Sequence, residues 1–421
     1  MRSARRTLAE WLELQESVHA RSIDLGLERV ARVARTLGLD KPHYRVITVA
    51  GTNGKGSTVA YLDAILRALG RRSGALTSPH LIRYNERIHI DGAPIDDGAL
   101  IDAFERIEQA RGATTLTFFE YNALAGLLLF ADRRVDVAVL EVGLGGRLDA
   151  ANVVDADVAV LCSVGFDHRD WLGDTLEAIG AEKAGIFRAG RPAVLGHPQM
   201  PSSVDAIIEQ LGALPIRAER EFSWEVSADR WSYRGLATTL RELPPPALAG
   251  SVQYRNAATA LAAIEALGLS VANAGDVGEA LRGVRLLGRF QIIPGPVEWI
   301  LDIAHNEPAA QVLAQNLQAR THTGRTLAVC GILTDKDAAA IGRALHDEVD
   351  EWIVCALPGP RGSSASDTAQ RLGPVQAAVL LADSVADGCA RARASARPGD
   401  RVVVFGSFVT VGSALEWLEL Y

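Results

Sequence analysis

Seven consecutive residues, Gly51-Thr52-Asn53-Gly54-Lys55-Gly56-Ser57, have the composition of an anion cradle. They follow a strand-like run, Tyr44 to Ala50, and open a helix-like run, Thr58 to Leu69. Glycines at such a turn let successive backbone N–H groups converge on a phosphate, and the helix N-terminus adds its positive end. Asn53, Gly54, Gly56 and Ser57 would line that cradle, with Lys55 among the outer phosphates. The spacing departs from the common phosphate loop, because Gly56 follows the lysine and the hydroxyl comes one residue later, at Ser57.

Further chemistry-bearing residues sit at the carboxyl ends of predicted strands, where open α/β sheets gather their ligands. Glu141 begins the stretch Glu141-Val142-Gly143-Leu144-Gly145-Gly146-Arg147-Leu148-Asp149 and is placed to hold Mg²⁺ beside phosphates, or to serve as a satisfied structural carboxylate. Ser78, in Thr77-Ser78-Pro79-His80-Leu81, offers a hydroxyl oxygen to the same ion or caps a turn. His168 lies in Asp167-His168-Arg169-Asp170-Trp171. Lys183 lies in Glu182-Lys183-Ala184-Gly185-Ile186, and a lysine near a metal can take up carbon dioxide as a carbamate, exchanging a cation for an anion. Paired with Glu182, it would instead be an ordinary helix lysine. Towards the C-terminus, Asp302 and His305 end a strand in Leu301-Asp302-Ile303-Ala304-His305-Asn306, suited to a ribose and a phosphate respectively. Arg289, in Gly288-Arg289-Phe290, can bring a charge onto phosphate. Asn256 opens a predicted helix and reads as its cap or as a nucleotide contact.

The elements that must position these residues alternate strand and helix. Strands are expected at Val135 to Glu141 and Asp157 to Cys162, with an amphipathic helix at Leu25 to Leu39. This pattern implies a mostly parallel sheet covered on both faces. Phe222 to Leu243, with Trp224, Trp231 and Tyr233, reads as an antiparallel excursion. Helices follow at Gln253 to Leu267 and Gly275 to Gly283. A second β/α series then starts, with strands at Val297 to Ile303, Thr326 to Ile332, Glu351 to Ala356 and Arg401 to Gly406. Helices are expected at Ala309 to Gln318 and Ser384 to Ala396. A chain of 421 residues needs more than one core. The expected division is 1–287 and 288–421, the smaller part Rossmann-like, with a site in the cleft.

Composition narrows the function. Lys and Arg number 43 against 51 Asp and Glu, a formal net charge of −8 with no sustained basic run, which argues against nucleic acid. Asn122 to Ala131 is too short to span a bilayer. Arg2, Arg5 and Arg6 are followed by Glu10, Glu13 and Glu16 instead of an apolar core, unlike a signal peptide. Cys162, Cys330, Cys355 and Cys389 are scattered without a CxxC pair and read mainly as buried thiols. A reduced, cytoplasmic enzyme is expected.

GTNGKGS, SPHL, EVGLGGRLDA, DHRDWLG, EKAGI, RNAATA, GRFQ and DIAHN stand here in the order and rough spacing of the folylpolyglutamate synthase family, within the Mur ligase superfamily. The resemblance runs from Ser22 to the C-terminal region. It implies a Mur-ligase-like α/β fold, with a large P-loop-type ATP-binding domain and a smaller Rossmann-like domain. It also implies ligation of L-glutamate onto a folate or pteroate carboxylate, with ATP cleaved to ADP. The chain is most similar to the bifunctional bacterial form, which also makes dihydrofolate from dihydropteroate. In that form Asp24, Leu25 and Gly26, then Thr117, Phe118, Phe119 and Glu120, then Leu148, Asp149 and Ala150, contribute to the pteroate pocket. Asp24 suits pterin N–H donors, and either phenylalanine could stack on the flat ring.

The family's phosphate residues carry over onto Asn53, Gly54, Lys55, Gly56 and Ser57. Its Mg²⁺ ligands, for one or two ions, carry over onto Ser78, Glu141 and His168, its carbamylated lysine onto Lys183, and its ATP-closing residues onto Asn256, Arg289 and Asp302. The expected substrates are dihydropteroate, tetrahydrofolate and L-glutamate, and the expected state is a monomer. A cell-wall Mur ligase is the competing enzyme, although only a short segment precedes the phosphate-loop strand. A nucleotide-dependent switch is the non-enzymatic alternative, and it leaves Lys183 without a role.

Overall fold

The computed structural model describes residues 5–21, 23–375 and 377–421; Arg2 and Ser22 lie outside them. The chain forms two compact units. The first comprises Met1–Val164, Asp170–Pro246 and Tyr254–Val284, and the second Gly165–Arg169, Ala247–Gln253 and Arg285–Tyr421. Two short segments that precede residue 285 in sequence therefore belong to the second unit, a feature no composition shift announces.

In the first unit, helices α1 (Leu8–Val18) and α2 (Glu28–Thr36) precede strand β1 (Arg45–Ala50) and helix α3 (Lys55–Ala68). Strands β2 (Ser73–Leu76), β3 (Ile88–Ile90) and β4 (Ala93–Pro94) follow, then helices α4 (Asp97–Arg111) and α5 (Phe118–Arg133). Strands β5 (Val137–Glu141), β6 (Val158–Leu161), β7 (Pro192–Leu195) and β8 (Leu214–Arg217) complete one sheet. Its order is β4-β3-β2-β5-β1-β6-β7-β8, parallel except for the β2–β3–β4 edge.

β1 thus lies between β5 and β6, each reached by a crossover, and their carboxyl ends converge. All three strands are almost wholly buried, as continuous apolar runs require when helices cover both faces. β9 (Ser223–Ser227), β10 (Arg230–Arg234) and β11 (Thr239–Leu243) form the antiparallel excursion expected at Phe222 to Leu243.

In the second unit, β12 (Gln291–Ile293), β13 (Glu298–Asp302), β14 (Thr326–Cys330), β15 (Glu351–Cys355), β16 (Ala378–Ala382) and β17 (Arg401–Phe405) form a sheet in the order β12-β13-β17-β14-β15-β16. Only β12 runs antiparallel to its neighbour. Its core gathers Ile300, Ala328, Trp352, Val403 and Phe405. β16 was not legible in advance: it is an edge strand whose Val379, Leu380 and Leu381 are exposed, so it lacks the buried-strand pattern.

Two expectations are corrected. The helix expected from Leu25 to Leu39 spans only Glu28–Thr36: Leu25 and Gly26 lie outside it, and Gly38 turns left-handed at φ +70°. Asn256 is no cap: the helix Val252–Ala266 begins a turn earlier and buries it. All four cysteines are free and buried. Among the described residues no helix is long and apolar enough to cross a membrane.

Candidate active site

The turn after β1 is built as its composition demands. Gly54 adopts φ +88°, and a Cβ there would sit 2.9 Å from the Asn256 side-chain oxygen, so strain and crowding both require glycine. α3 starts at the next residue and aims its free N–H groups at the cradle. The loop is held by a residue the sequence did not single out. Ser163, just past β6, accepts from the Asn53 N–H at 3.1 Å, donates to the Asn53 carbonyl at 3.0 Å, and its own carbonyl accepts from Thr52. A lone serine after a strand carries no signal; only the β1–β6 pairing brings it here.

Lys55 folds back over this loop, its Nζ donating to the carbonyls of Gly51 (2.9 Å) and Thr52 (3.3 Å). Lys183 Nζ reaches the same Gly51 carbonyl at 3.2 Å, across 132 residues of sequence, and its residue is 5 % exposed. Two ammonium groups therefore meet on one oxygen in a buried place, an arrangement that favours turning one of them into an anion or bringing anions to it. Glu182 points elsewhere: its carboxylate pairs with Arg147 at 2.7 Å. Two glycines let these segments interlock. A Cβ on Gly146 would stand 2.7 Å from the carbonyl oxygens of Glu182 and Lys183, and one on Gly185 would strike Arg147.

Glu141 ends β5 beside β1, is 4 % exposed, and accepts from the Ser78 N–H at 3.1 Å. No group of three or more His, Cys, Asp or Glu gathers among the described residues. Glu141 and the hydroxyl of the neighbouring Ser78 are oxygen donors of the hard kind that Mg²⁺ accepts. His168, at φ +50°, falls with the second unit, where its N–H donates to Asp167 at 2.9 Å.

The three segments expected to form the pteroate pocket all belong to the first unit. Asp24 is gripped by Arg29 (2.7 Å) and His19 (3.0 Å), and Arg29 also reaches Glu120 at 3.2 Å. Glu120 closes a capping box with Thr117 at the start of α5. His19 and Arg29 were not read from the sequence; isolated basic residues at a helix end and a helix start look like surface. Phe118 and Phe119 diverge. Phe118 meets Tyr84 edge-on at 5.5 Å, whereas Phe119 lies over Gly143, where a Cβ would come within 2.8 Å of its ring. Ala150 is buried and Leu148 half-buried beside them. Asp149 is sealed in. Burial pushes its carboxyl up to about 6, against N–H donors from Leu144 (2.8 Å) and Ala151 (2.9 Å) and the charge of Lys55.

In the second unit, Asp302 accepts from the N–H groups of Phe290 and Ala304, each at 2.8 Å. Burial raises its carboxyl, opposed chiefly by the nearby Arg289 charge. Arg289 lies over the Phe408 ring at 5.4 Å. His305 Nδ1–H donates to the Ile303 carbonyl at 2.8 Å, which turns Nε2 towards Asp167, 3.5 Å away. Asp167 also accepts from Asn306 at 2.9 Å and pairs with the buried Lys336. Burial alone would raise the Asp167 carboxyl; His305, Lys336 and His168 together hold it far below the usual carboxylate range. Lys336 went unread because Asp335-Lys336-Asp337 has the look of a solvated ion-pair turn.

Comparison with known proteins places this geometry. Residues 49–196 match the Mur ligase middle domain, and residues 288–408 match the Mur ligase glutamate ligase domain. The chain is similar to the dihydrofolate synthase/folylpolyglutamate synthase of Escherichia coli, at 45 % identity over 98 % of this chain and 96 % of that protein. The enzyme of the same description from Mycobacterium tuberculosis is 34 % identical, over 93 % and 90 %. Among solved structures, Escherichia coli FolC in complex with DHPP and ADP superimposes with a TM-score of 0.94, at 44 % identity over 100 % and 99 % of the two chains. A bifunctional folylpolyglutamate synthase/dihydrofolate synthase with Mn, AMPPNP and L-glutamate bound gives 0.91, at 42 % identity over 99 % of both.

Proposed function

We infer the activity of this chain from the family to which it belongs, the bifunctional dihydrofolate synthases/folylpolyglutamate synthases of the Mur ligase superfamily. It is an ATP-dependent ligase. It joins L-glutamate to dihydropteroate, giving dihydrofolate, and to the glutamate tail of tetrahydrofolates. A substrate carboxylate oxygen attacks the γ-phosphorus, the bond to ADP breaks, and an acyl phosphate forms. The glutamate amine then attacks the acyl carbon, loses a proton, and expels phosphate. The observation that carries this reading is the convergence of Lys55 and Lys183 on the Gly51 carbonyl, on a fold matched along its whole length.

Each residue's part follows from its chemistry. The N–H groups of Asn53, Gly54, Gly56 and Ser57 bind the phosphates, and Lys55 swings from its loop carbonyls onto the γ-phosphate as charge develops there. Mg²⁺, one ion or two, would supply positive charge beside the phosphoryl oxygens when bound. Ser78, Glu141 and a carbamylated Lys183 are assigned to hold it, with His168 added on its motif alone. Asn256, Arg289 and Asp302 are assigned to ATP, and His305 to the side of the transferred phosphate. Asp24, Leu25, Gly26, Thr117, Phe119, Leu148 and Ala150 surround the pterin, with Phe119 as the stacking ring. Phe118, Glu120 and Asp149 shape that pocket from behind.

We assign ATP and pteroate binding to residues 1–287 and glutamate ligation to 288–421. We take the enzyme to act as a cytoplasmic monomer, in keeping with four reduced, buried thiols. The deciding assay is ADP release with dihydropteroate, then with tetrahydrofolate, each with and without glutamate. Release that depends on both acceptor and glutamate is expected; glutamate-independent turnover would instead favour a nucleotide switch.

A further inference from the structure

Arg87 closes the short 3₁₀ turn Tyr84–Arg87 that leads into β3, and it is 8 % exposed. Its guanidinium lies 5.4 Å from the Tyr84 ring and 5.2 Å from the Phe118 ring. Its one side-chain hydrogen bond among the described residues is Nε–H to His80 Nδ1, at 2.7 Å. No carboxylate among them pairs with it. The adjacent Glu86 is committed to its own loop, accepting from the N–H groups of Leu81 (2.7 Å), Ile82 (2.9 Å) and Arg83 (2.6 Å). His80 brings no negative charge, since an imidazole carries none in either protonation state. The two Nη groups are not among the sealed polar atoms, so what access the side chain keeps is at the end of the fork.

A buried guanidinium with no carboxylate in direct contact is incompletely compensated, and an anion that reaches it gains a strong partner. Its planar fork matches a carboxylate in two parallel hydrogen bonds, and the Tyr84 and Phe118 rings beside it limit its movement. The surroundings say which anion. Phe118 begins the helix whose first turn carries the residues assigned to the pteroate pocket, and His80, bonded to Arg87, lies two residues from Ser78, whose N–H donates to Glu141 on the phosphate side. Arg87 therefore stands where a substrate must extend from pterin pocket to phosphate, and the group at that point of the substrate is the carboxylate to be activated. The phosphates already have Lys55 as their own cation.

We propose that Arg87 is the carboxylate-binding residue of the folate site, gripping the substrate carboxylate while it is phosphorylated. The proposal rests on the synthase reading above and adds to it the residue that recognises the reacting group.

The test is a cycle between the guanidinium and the ligand's carboxylate. Dissociation constants are measured for dihydropteroate and for the same pterin–aniline lacking the carboxylate, on wild type, Arg87→Gln and Arg87→Lys. Wild type should prefer dihydropteroate. Arg87→Gln should weaken dihydropteroate by about 10- to 100-fold, the loss of a charge-assisted pair. It should leave the decarboxylated ligand and ATP unchanged, and Arg87→Lys should fall between. The unliganded Tm of Arg87→Gln should be unchanged or higher, because a desolvated charge with no directly paired carboxylate is removed; a purely structural arginine would lower it. Equal loss for both pterin ligands, no loss for either, or a selective loss of ATP affinity would each overturn the proposal while the synthase reading stands. Wild-type protein without glutamate-dependent ADP release on dihydropteroate would overturn both.

Discussion

The two units put buried charge at the carboxyl ends of parallel strands by different means. In the first, the backbone does the work: Gly51 and Gly54 open a cradle after β1, and Gly146 and Gly185 let the Lys183 helix press against the loop after β5. In the second, side chains do it, with Asp167 serving as hub for His305, Asn306 and Lys336. A backbone cradle needs glycines at fixed offsets and so leaves a readable string. A side-chain hub needs only residues of common type, brought together across as many as 169 positions of sequence. The contrast also divides the consequences of mutation. Charges that rest on loop carbonyls stand at the phosphate turn, and their loss should cost activity. Charges paired in the hub are already satisfied, and their loss should cost stability.

Lys183→Ala should break this contrast most visibly, leaving the enzyme nearly inactive yet folded. A short carboxylate in the buffer should partly restore activity, and rigorous removal of carbon dioxide at mildly acidic pH should depress the wild type. An unmodified Lys183, seen by mass in fully active enzyme, would end the carbamate assignment. Lys55→Ala comes next, with turnover reduced about 10²- to 10³-fold, the range for losing one preorganised electrostatic contact. Its Tm should be within a degree or two of wild type, and near-native turnover would remove Lys55 from the chemistry.

Lys336→Met should behave oppositely. Removing the partner of a buried carboxylate costs about 3–5 kcal/mol, which calorimetry would register as a lower unfolding temperature. The same hub fixes a pH dependence. The folded Asp167 carboxyl lies below its unfolded value of 3.8, so its stabilisation is present above that pH and is lost progressively on acidification below it. Asp167→Asn should be less stable at pH 7 and should lack that acid limb. The smallest effect is expected from Ser163→Ala, which removes both hydrogen bonds to Asn53. Nucleotide affinity should weaken by about threefold to tenfold, the scale of one or two neutral hydrogen bonds, and titration calorimetry would resolve it.

The sequence by itself determined whatever depends on neighbours along the chain. The phosphate turn, the buried strands β1, β5, β14, β15 and β17, the antiparallel excursion at Phe222 to Leu243, and the glycine-rich stretch after Glu141 were all legible. Each follows from local backbone freedom or from a run of apolar residues. Tertiary structure decided what these elements meet. It brought Ser163 to the phosphate turn, set Lys183 beside Lys55, and placed Asn256 inside a helix against Gly54. It sent Phe118 and Phe119 to different neighbours, joined the Asp167 segment to the second unit, and buried Arg87 beside two rings with no directly paired carboxylate among the described residues. The reason is physical. Hydrophobic periodicity and glycine offsets act within a turn or a strand, whereas the field at a buried charge is set by groups a few ångströms away that sequence spacing does not order.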